Sequence, residues 1–387
     1  MRRLRKATLF EVDGVGGIFK KRRKHVFKKR TTLMENYIPD KLPFREREIE
    51  WIANNLYPAI DGDTPPHMLI VGETGTGKTA VVMRVLTELK SIASDVVVGY
   101  TVANGTPYKV LIDLVHNMGL AVPQKGLGFN NVLSRFREFL DGRVAVIVLD
   151  EIDKMLIHSS DLLYYLSRWP NTCVIGISNK FTVRSLIDDA RVLSSFVTRN
   201  LVFKRYDALQ LQGILNYRAE MAFYYDALSE DVIPFCAAMA TQRGADVRYA
   251  LDLLLYAGDL AEEKAEPRVT VDHVRRAMQV LDDEFVREGV RGLSEVHKCL
   301  LLAVLSRGEC SPSTTYEVCN RYLIERVGKR LSTRALLKYL KELELYGFVK
   351  VVRKGRGRGR GFEWKVSLSE DVSPELVKSA LDEEFKD

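Results

Sequence analysis

The stretch HMLIVGETGTGKT, His67 to Thr79, decides the fold. It opens as a short apolar run of strand length, passes through a glycine-rich loop and enters a helical pattern that continues to about Lys90. Gly72 to Thr79 is a complete G-x-x-x-x-G-K-[ST] in the strand–loop–helix context that pattern requires. Glycines let the backbone curl until successive N–H groups converge on one anion. Gly72, Glu73, Thr74, Gly75, Thr76, Gly77, Lys78, Thr79 and Ala80 are therefore candidate nucleotide contacts. Lys78 supplies a point charge for the β- and γ-phosphates, Thr79 offers a hydroxyl to Mg²⁺, and the helix presents its N-terminus to the phosphates. The expected cofactors are ATP or ADP with Mg²⁺.

Outward from this loop, VVVGY (Val96–Tyr100), VAVIVLD (Val144–Asp150) and CVIGIS (Cys173–Ser178) are further apolar runs of strand length. Helical patterns separate them, and strands alternating with helices predict a parallel α/β sheet. Asp150 and Glu151 end one of these strands, where ligands gather in open parallel sheets. Asp150 is expected to hold Mg²⁺ and Glu151 to polarise the attacking water. Asn179, at the tip of a neighbouring strand, is placed to orient the same water or read the γ-phosphate. A pair of strand-capping acids and a simple turn asparagine are the plainer readings of these positions.

The rest of the composition bounds the class. With 387 residues, 46% hydrophobic and 28% charged, the chain reads as a soluble globular protein of about two or three domains. No apolar run approaches the roughly 20 residues of a membrane span. Five scattered cysteines without a C-x-x-C pair read as reduced thiols rather than zinc ligands or disulfides, which fits a cytoplasmic protein. The net charge is +7, yet twelve lysines and arginines lie within residues 1–30 against Glu11 and Asp13. Such a basic arm predicts a polyanion partner, and a solvated tail is compatible with that.

After LVFK, Leu201–Lys204, strand patterns stop and the chain reads helical to about Arg287. Three more helices follow: LSEVHKCLLLAVL from Leu293, SPSTTYEVCNRYLIERVG from Ser311 and LSTRALLKYLKELELYG from Leu331. In the third, Ser332 or Thr333 is the expected cap and Gly347 the stop. At about 100° per residue, Arg334, Lys338 and Lys341 share one side while Leu336, Leu340 and Leu343 take the other, as a major-groove helix requires. Glu342 and Glu344 favour the alternative of a solvated charged face. VKVVRK and FEWKVSL then flank GRGRGRG, which predicts a hairpin with Arg353, Lys354, Arg356, Arg358 and Arg360 directed at phosphates or the minor groove. A mobile solubilising loop is the competing reading. The last nineteen residues hold seven acids against two lysines and read as a solvated helix.

Taken as a set, these motifs resemble the archaeal origin-recognition initiators, AAA+ proteins related to the eukaryotic origin recognition complex and its helicase-loading cofactor. The resemblance runs from about Tyr37 to the end of the hairpin and includes YIPDKLPFRE (Tyr37–Glu46), the phosphate loop, TPYKVLIDL (Thr106–Leu114) with GLAVPQKGL (Gly119–Leu127), LDEID (Leu149–Asp153), SNK (Ser178–Lys180) and GADVRYALDLL (Gly244–Leu254). It implies a basic arm at 1–33, an AAA+ core at 34–204, an all-α lid at 205–288 and a winged-helix domain at 289–387. It further implies that Arg248 is the lid arginine of the nucleotide site, that Tyr37, Ile38, Arg45, Tyr206 and Arg218 contact nucleotide, and that Thr106, Pro107, Tyr108, Lys109 and Lys125 belong to a DNA-contacting insertion. Asp188-Asp189-Ala190-Arg191-Val192 keeps the arginine of the family's D-P-R-V stretch without its proline, so Arg191 is a candidate catalytic finger acting on a neighbour's ATP.

The resemblance implies a nucleoid-associated initiator with weak ATPase activity that binds double-stranded origin DNA and recruits or loads the replicative helicase. Initiator paralogues are the other expected partners, with assembly on DNA. The rival reading from another class is a signalling-type P-loop ATPase whose winged helix serves transcriptional control or protein contacts. A motor enzyme is disfavoured, because no strand-coupling helicase motif is present.

Overall fold

The computed structural model describes residues 26–123, 126–355, 362–370 and 372–385. The arm cations from Arg2 to Lys24, Lys125, and Arg356, Arg358 and Arg360 lie outside the described residues, as does the side chain of Lys354. The chain forms two compact units, Met1–Val274 and Arg275–Asp387.

In the first unit, helices and strands alternate as α1 (Glu46–Leu56), β1 (His67–Gly72), α2 (Lys78–Ile92), β2 (Val97–Val102), α3 (Pro107–Asn117), α4 (Phe129–Leu140), β3 (Ala145–Asp150), α5 (Ile152–Leu156), α6 (Asp161–Leu166), β4 (Thr172–Ser178), α7 (Ala190–Ser195) and β5 (Thr198–Phe203). The strands pair in parallel in the order β2-β3-β4-β1-β5. Every residue of β3 and β4 is buried, which explains why their sequences are unbroken apolar runs rather than alternating ones. Alternate side chains feed two cores. Leu69, Val71, Ile147, Leu149 and Val174 pack on the α3–α6 side with Leu111, Phe136 and Leu163. Met68, Ile70, Val146, Val148 and Ile175 pack on the α1–α2 side with Ile52, Val82 and Leu86. The order of β1, β4 and β3 places the ends of Gly72, Ser178 and Asp150 side by side at the carboxyl edge.

A helical lid follows as α8 (Ala208–Ala222), α9 (Val232–Gln242), α10 (Val247–Glu263) and α11 (Val271–Arg291). The boundary between the two units falls inside α11 rather than at 288, because one uninterrupted helix carries the chain across it. Asp207 opens α8 with a capping box shared with Gln210.

Residues 26–33, which sequence charge assigns to the arm, are instead folded onto this lid as the start of a strap. Lys28 and Lys29 N–H both donate to Ala222 O at 2.7 and 2.9 Å, and Tyr224 N–H donates to Val26 O at 2.9 Å. Phe27 is buried and stacks on Phe223 with ring centroids 4.7 Å apart. Arg30 forks onto Asp259 at 2.7 and 2.5 Å.

The second unit contains α12 (Glu295–Arg307), α13 (Pro312–Val327), α14 (Thr333–Leu345), β6 (Val349–Gly355), β7 (Phe362–Leu368) and α15 (Pro374–Glu384). Leu300, Leu301, Cys319, Leu323, Leu336, Leu340, Leu343 and Val366 share one core. Ser332 caps α14 by accepting from Ala335 N–H at 3.3 Å, and Gly347 leaves it at φ +82°. Strands β6 and β7 pair antiparallel from Val349↔Leu368 to Gly355↔Phe362, and Cys310 adds a further bridge to Val366. Helix α15 is not wholly solvated as its acids predict. Val377, Ala380 and Leu381 are buried in the same core, and Glu384 reaches the buried Lys298 at 2.9 Å.

Candidate functional site

The phosphate loop takes its shape from glycines at the tight places. Gly77 stands at φ +86° immediately before α2, a conformation that costs a side-chain-bearing residue about 1 kcal/mol or more. A Cβ on Gly75 would sit 2.0 Å from Asp246 Oδ1, so only glycine allows the lid to approach the loop this closely. Thr76 Oγ1 donates to Glu73 O at 2.7 Å and closes the turn.

Arg45 supports the loop from behind. Its guanidinium is buried and donates to Thr76 O at 3.1 Å, Tyr206 Oη at 2.8 Å, Lys204 O at 2.7 Å and Glu48 at 2.7 Å. Arg45 is absent from the residues that line the cavity described below, and its Nε, Nη1 and Nη2 each donate to protein groups that brace the loop against the start of the lid.

Lys78 Nζ donates to Gly72 O at 2.8 Å, Glu73 O at 2.7 Å and Asn179 Oδ1 at 2.8 Å. Burial pushes its ammonium down to about 8, with Asp150 opposing that shift and Arg248 adding to it. Thr79 Oγ1 donates to Asp150 Oδ2 at 2.7 Å, and Tyr100 Oη donates to the same oxygen at 3.1 Å. Burial, then Asp150, holds the Tyr100 phenol well above its ordinary range, so it remains a donor. Glu151 follows β3 at φ +55°, a conformation that non-glycine residues adopt mainly where the surroundings impose it. Its carboxylate pairs with Lys154 at 2.6 Å.

These groups open on a cavity of about 830 Å³. Thr74, Gly75, Gly77, Lys78, Thr79 and Ala80 line it, with Asp150, Glu151 and Asn179. The lid and strap supply Tyr37, Ile38, Tyr206, Arg218 and Arg248. Gly72, Glu73 and Thr76 lie behind the lining, and the Glu73 carboxylate is occupied by Arg205. Arg218 donates to Tyr37 O at 3.2 Å and Met34 O at 3.3 Å, while its Nε is buried without a partner among the described residues. Burial lowers that guanidinium to about 10.

Sequence reasoning missed Tyr100, Glu35, Asp246 and Tyr217. Tyr100 was detectable, since it sits near the carboxyl end of β2, level with the acid pair. Asp246 lay inside GADVRYALDLL without being singled out. Glu35 left no sequence signal, because it enters the cavity only through the fold of the strap.

Arg191 is not brought to this cavity. It lies exposed on α7, paired with Asp189 at 2.7 Å and 5.1 Å from the Tyr164 ring centroid. In α3, Thr106 caps the helix by accepting from Lys109 N–H at 3.4 Å, Pro107 occupies its first turn, Tyr108 Oη donates to Leu127 O at 2.8 Å, and Lys109 is exposed. In α14, Ser332, Thr333, Arg334, Lys338 and Lys341 are all exposed, opposite the buried leucines. Glu342 is not part of a free acidic face: it reaches His297 Nε2 at 2.9 Å and Lys338 at 3.7 Å. Arg353 and Trp364 sit opposite each other across the hairpin, both exposed.

Two family models match the chain: an AAA domain over residues 61–182 and a Cdc6 AAA+ ATPase-type lid domain over residues 212–279. An ORC1-type DNA replication protein of Methanothermobacter thermautotrophicus is 43% identical over 93% of this chain and 98% of its own length. ORC1-type DNA replication protein 1 of Archaeoglobus fulgidus is 36% identical over 93% of this chain and 92% of its own. Among solved structures, Aeropyrum pernix ORC1 in complex with DNA superposes with a TM-score of 0.84 at 36% identity, covering 94% of this chain and 98% of that one.

Proposed function

The chain belongs to the ORC1-type DNA replication proteins, AAA+ ATPases with a Cdc6-type lid, and from that membership we propose a site-by-site reading of this initiator. The cavity at the ends of β1, β3 and β4 takes ATP or ADP. Thr74, Gly75 and Gly77 to Ala80 cradle the phosphates by backbone N–H groups, Lys78 and Arg248 bring charge to them, and the apolar walls at Ile38 and Tyr37 take the base. The fit rests on the cavity's size, on the buried ammonium of Lys78 and on the partnerless Nε of Arg218. Thr79 and Asp150 would hold Mg²⁺, which when bound neutralises phosphate charge. Glu151 orients the attacking water and Asn179 positions the terminal phosphate beside Lys78.

In the second unit, α14 and the β6–β7 hairpin form a winged helix that binds duplex origin DNA through Ser332, Thr333, Arg334, Lys338, Arg353 and the arginines that follow. Thr106, Pro107, Tyr108, Lys109 and Lys125 add a second contact at the insertion. Slow hydrolysis switches the protein between states, and the bound form recruits or loads the replicative helicase with initiator paralogues. Arg191, remote from its own cavity and exposed, is available to a neighbour's site in such an assembly.

The observation that carries this reading is the convergence of Lys78, Thr79, Asp150, Glu151, Asn179 and Arg248 on one cavity. Two variants test it. Lys78→Ala is expected to abolish ATP binding measured by calorimetry. Arg334→Ala with Lys338→Ala is expected to weaken duplex binding and to reduce the slope of log K against log salt by about one for each phosphate no longer neutralised. Unchanged nucleotide binding, or an unchanged salt slope, overturns the corresponding half.

A further inference from the structure

We propose that Glu35 is a specificity-determining residue of the nucleotide site: its carboxylate competes with the terminal phosphate for the Arg248 guanidinium and thereby sets how strongly the site distinguishes ATP from ADP. This rests on the reading of the cavity as a nucleotide site with Arg248 facing the phosphates. Arg248 Nε lies 2.9 Å from Glu35 Oε1, and both residues line the cavity that holds Lys78 and Asn179. Their side chains are 49% and 64% exposed, so the pair is solvated and exchangeable rather than locked.

The strap that carries Glu35 is fastened to the lid that carries Arg248. Phe27 packs on Gly258 of α10, Arg30 forks onto Asp259 of α10, and Arg218 of α8 donates to Met34 O and Tyr37 O on either side of Glu35. Movement of the lid against the sheet therefore carries both partners together. What separates them is a stronger acceptor. A terminal phosphate has more charge and more acceptor oxygens than a carboxylate, so ATP draws the guanidinium away from Glu35. ADP ends one phosphate short and leaves the pair intact. The cost of breaking the pair therefore falls on ATP binding alone.

An exposed ion pair of this kind shifts an equilibrium by about two- to fivefold. Titration of the full chain with Mg²⁺ and either ADP or a non-hydrolysable ATP analogue reads the effect. Glu35→Gln is expected to tighten the ATP analogue by about two- to fivefold with ADP unchanged. Arg248→Ala is expected to weaken the ATP analogue selectively. Glu35→Gln made on Arg248→Ala is expected to leave the ratio of the two affinities where Arg248→Ala put it. If Glu35→Gln tightens both nucleotides equally, the carboxylate acts by general repulsion and the proposal is overturned. It is likewise overturned if the ratio does not move while Arg248→Ala still weakens the ATP analogue. If Arg248→Ala changes neither affinity, the assignment of the lid arginine to the phosphates is what fails.

Discussion

Lys78 shows how far a single side chain carries consequences. Buried among carbonyl oxygens, its ammonium falls from an ordinary value of 10.5 to about 8. Phosphates favour the charged form, so nucleotide binding raises that value and takes up a proton at any pH between the free and bound values. From Lys78, ATP affinity is therefore expected to be flat between about pH 7 and 8 and to fall above that, by up to about tenfold per pH unit. Lys78→Arg, which stays charged, should bind more weakly but without this dependence. A wild-type affinity that is level from pH 7 to 9 would refute the depressed ammonium. The nucleotide-free chain carries the complementary sign: between about 8 and 10.5 the unfolded lysine binds more proton than the folded one, so this residue makes stability rise with pH. Lys78 and its loop were legible because their chemistry is local to a few consecutive residues. The bracing contacts of Arg45 were not, because its partners lie as far along the chain as Lys204 and Tyr206.

At the scale of elements, the strap on the lid repeats that contrast. The apolar runs of β1, β3 and β4 announced central strands, since a strand buried on both faces must be apolar throughout. Val26 and Phe27 sit within KKRRKHVFKKR, where the cations outweigh two apolar residues and the segment reads as arm. The same masking hid the buried face of α15 beneath its acids. Phe27 nevertheless occupies a site shaped for it, because a Cβ on Gly258 would approach its ring to 2.3 Å. Phe27→Ala is expected to cost about 3–5 kcal/mol of stability and Gly258→Ala about 1–3 kcal/mol. The two together should cost clearly less than their sum, since each removes the partner the other strains against. Strict additivity in denaturant melts would show that the strap does not depend on this contact.

For the molecule as a whole, the organisation into a nucleotide unit and a helix–hairpin unit was readable from where strand patterns stop and resume. The position of the division was not, since α11 runs through it without a proline or glycine break until Gly289. What the cores add is independence. The sheet's two cores draw on residues from Ile52 to Phe203, whereas the second unit closes its own core from Val290 to Leu381. A unit with its own closed core is expected to fold alone. Residues 275–387 expressed by themselves should therefore melt in one cooperative transition and bind duplex DNA with an affinity that falls linearly in log salt. Added ATP should leave that binding unchanged, because every cavity-lining residue lies outside this piece. Carrying Arg334→Ala and Lys338→Ala, the same piece should keep its melting transition while its salt slope decreases. If the piece is unfolded, the closed core is not sufficient; if it folds and ignores DNA, the binding face lies elsewhere in the chain and the proposed division of labour between the two units fails.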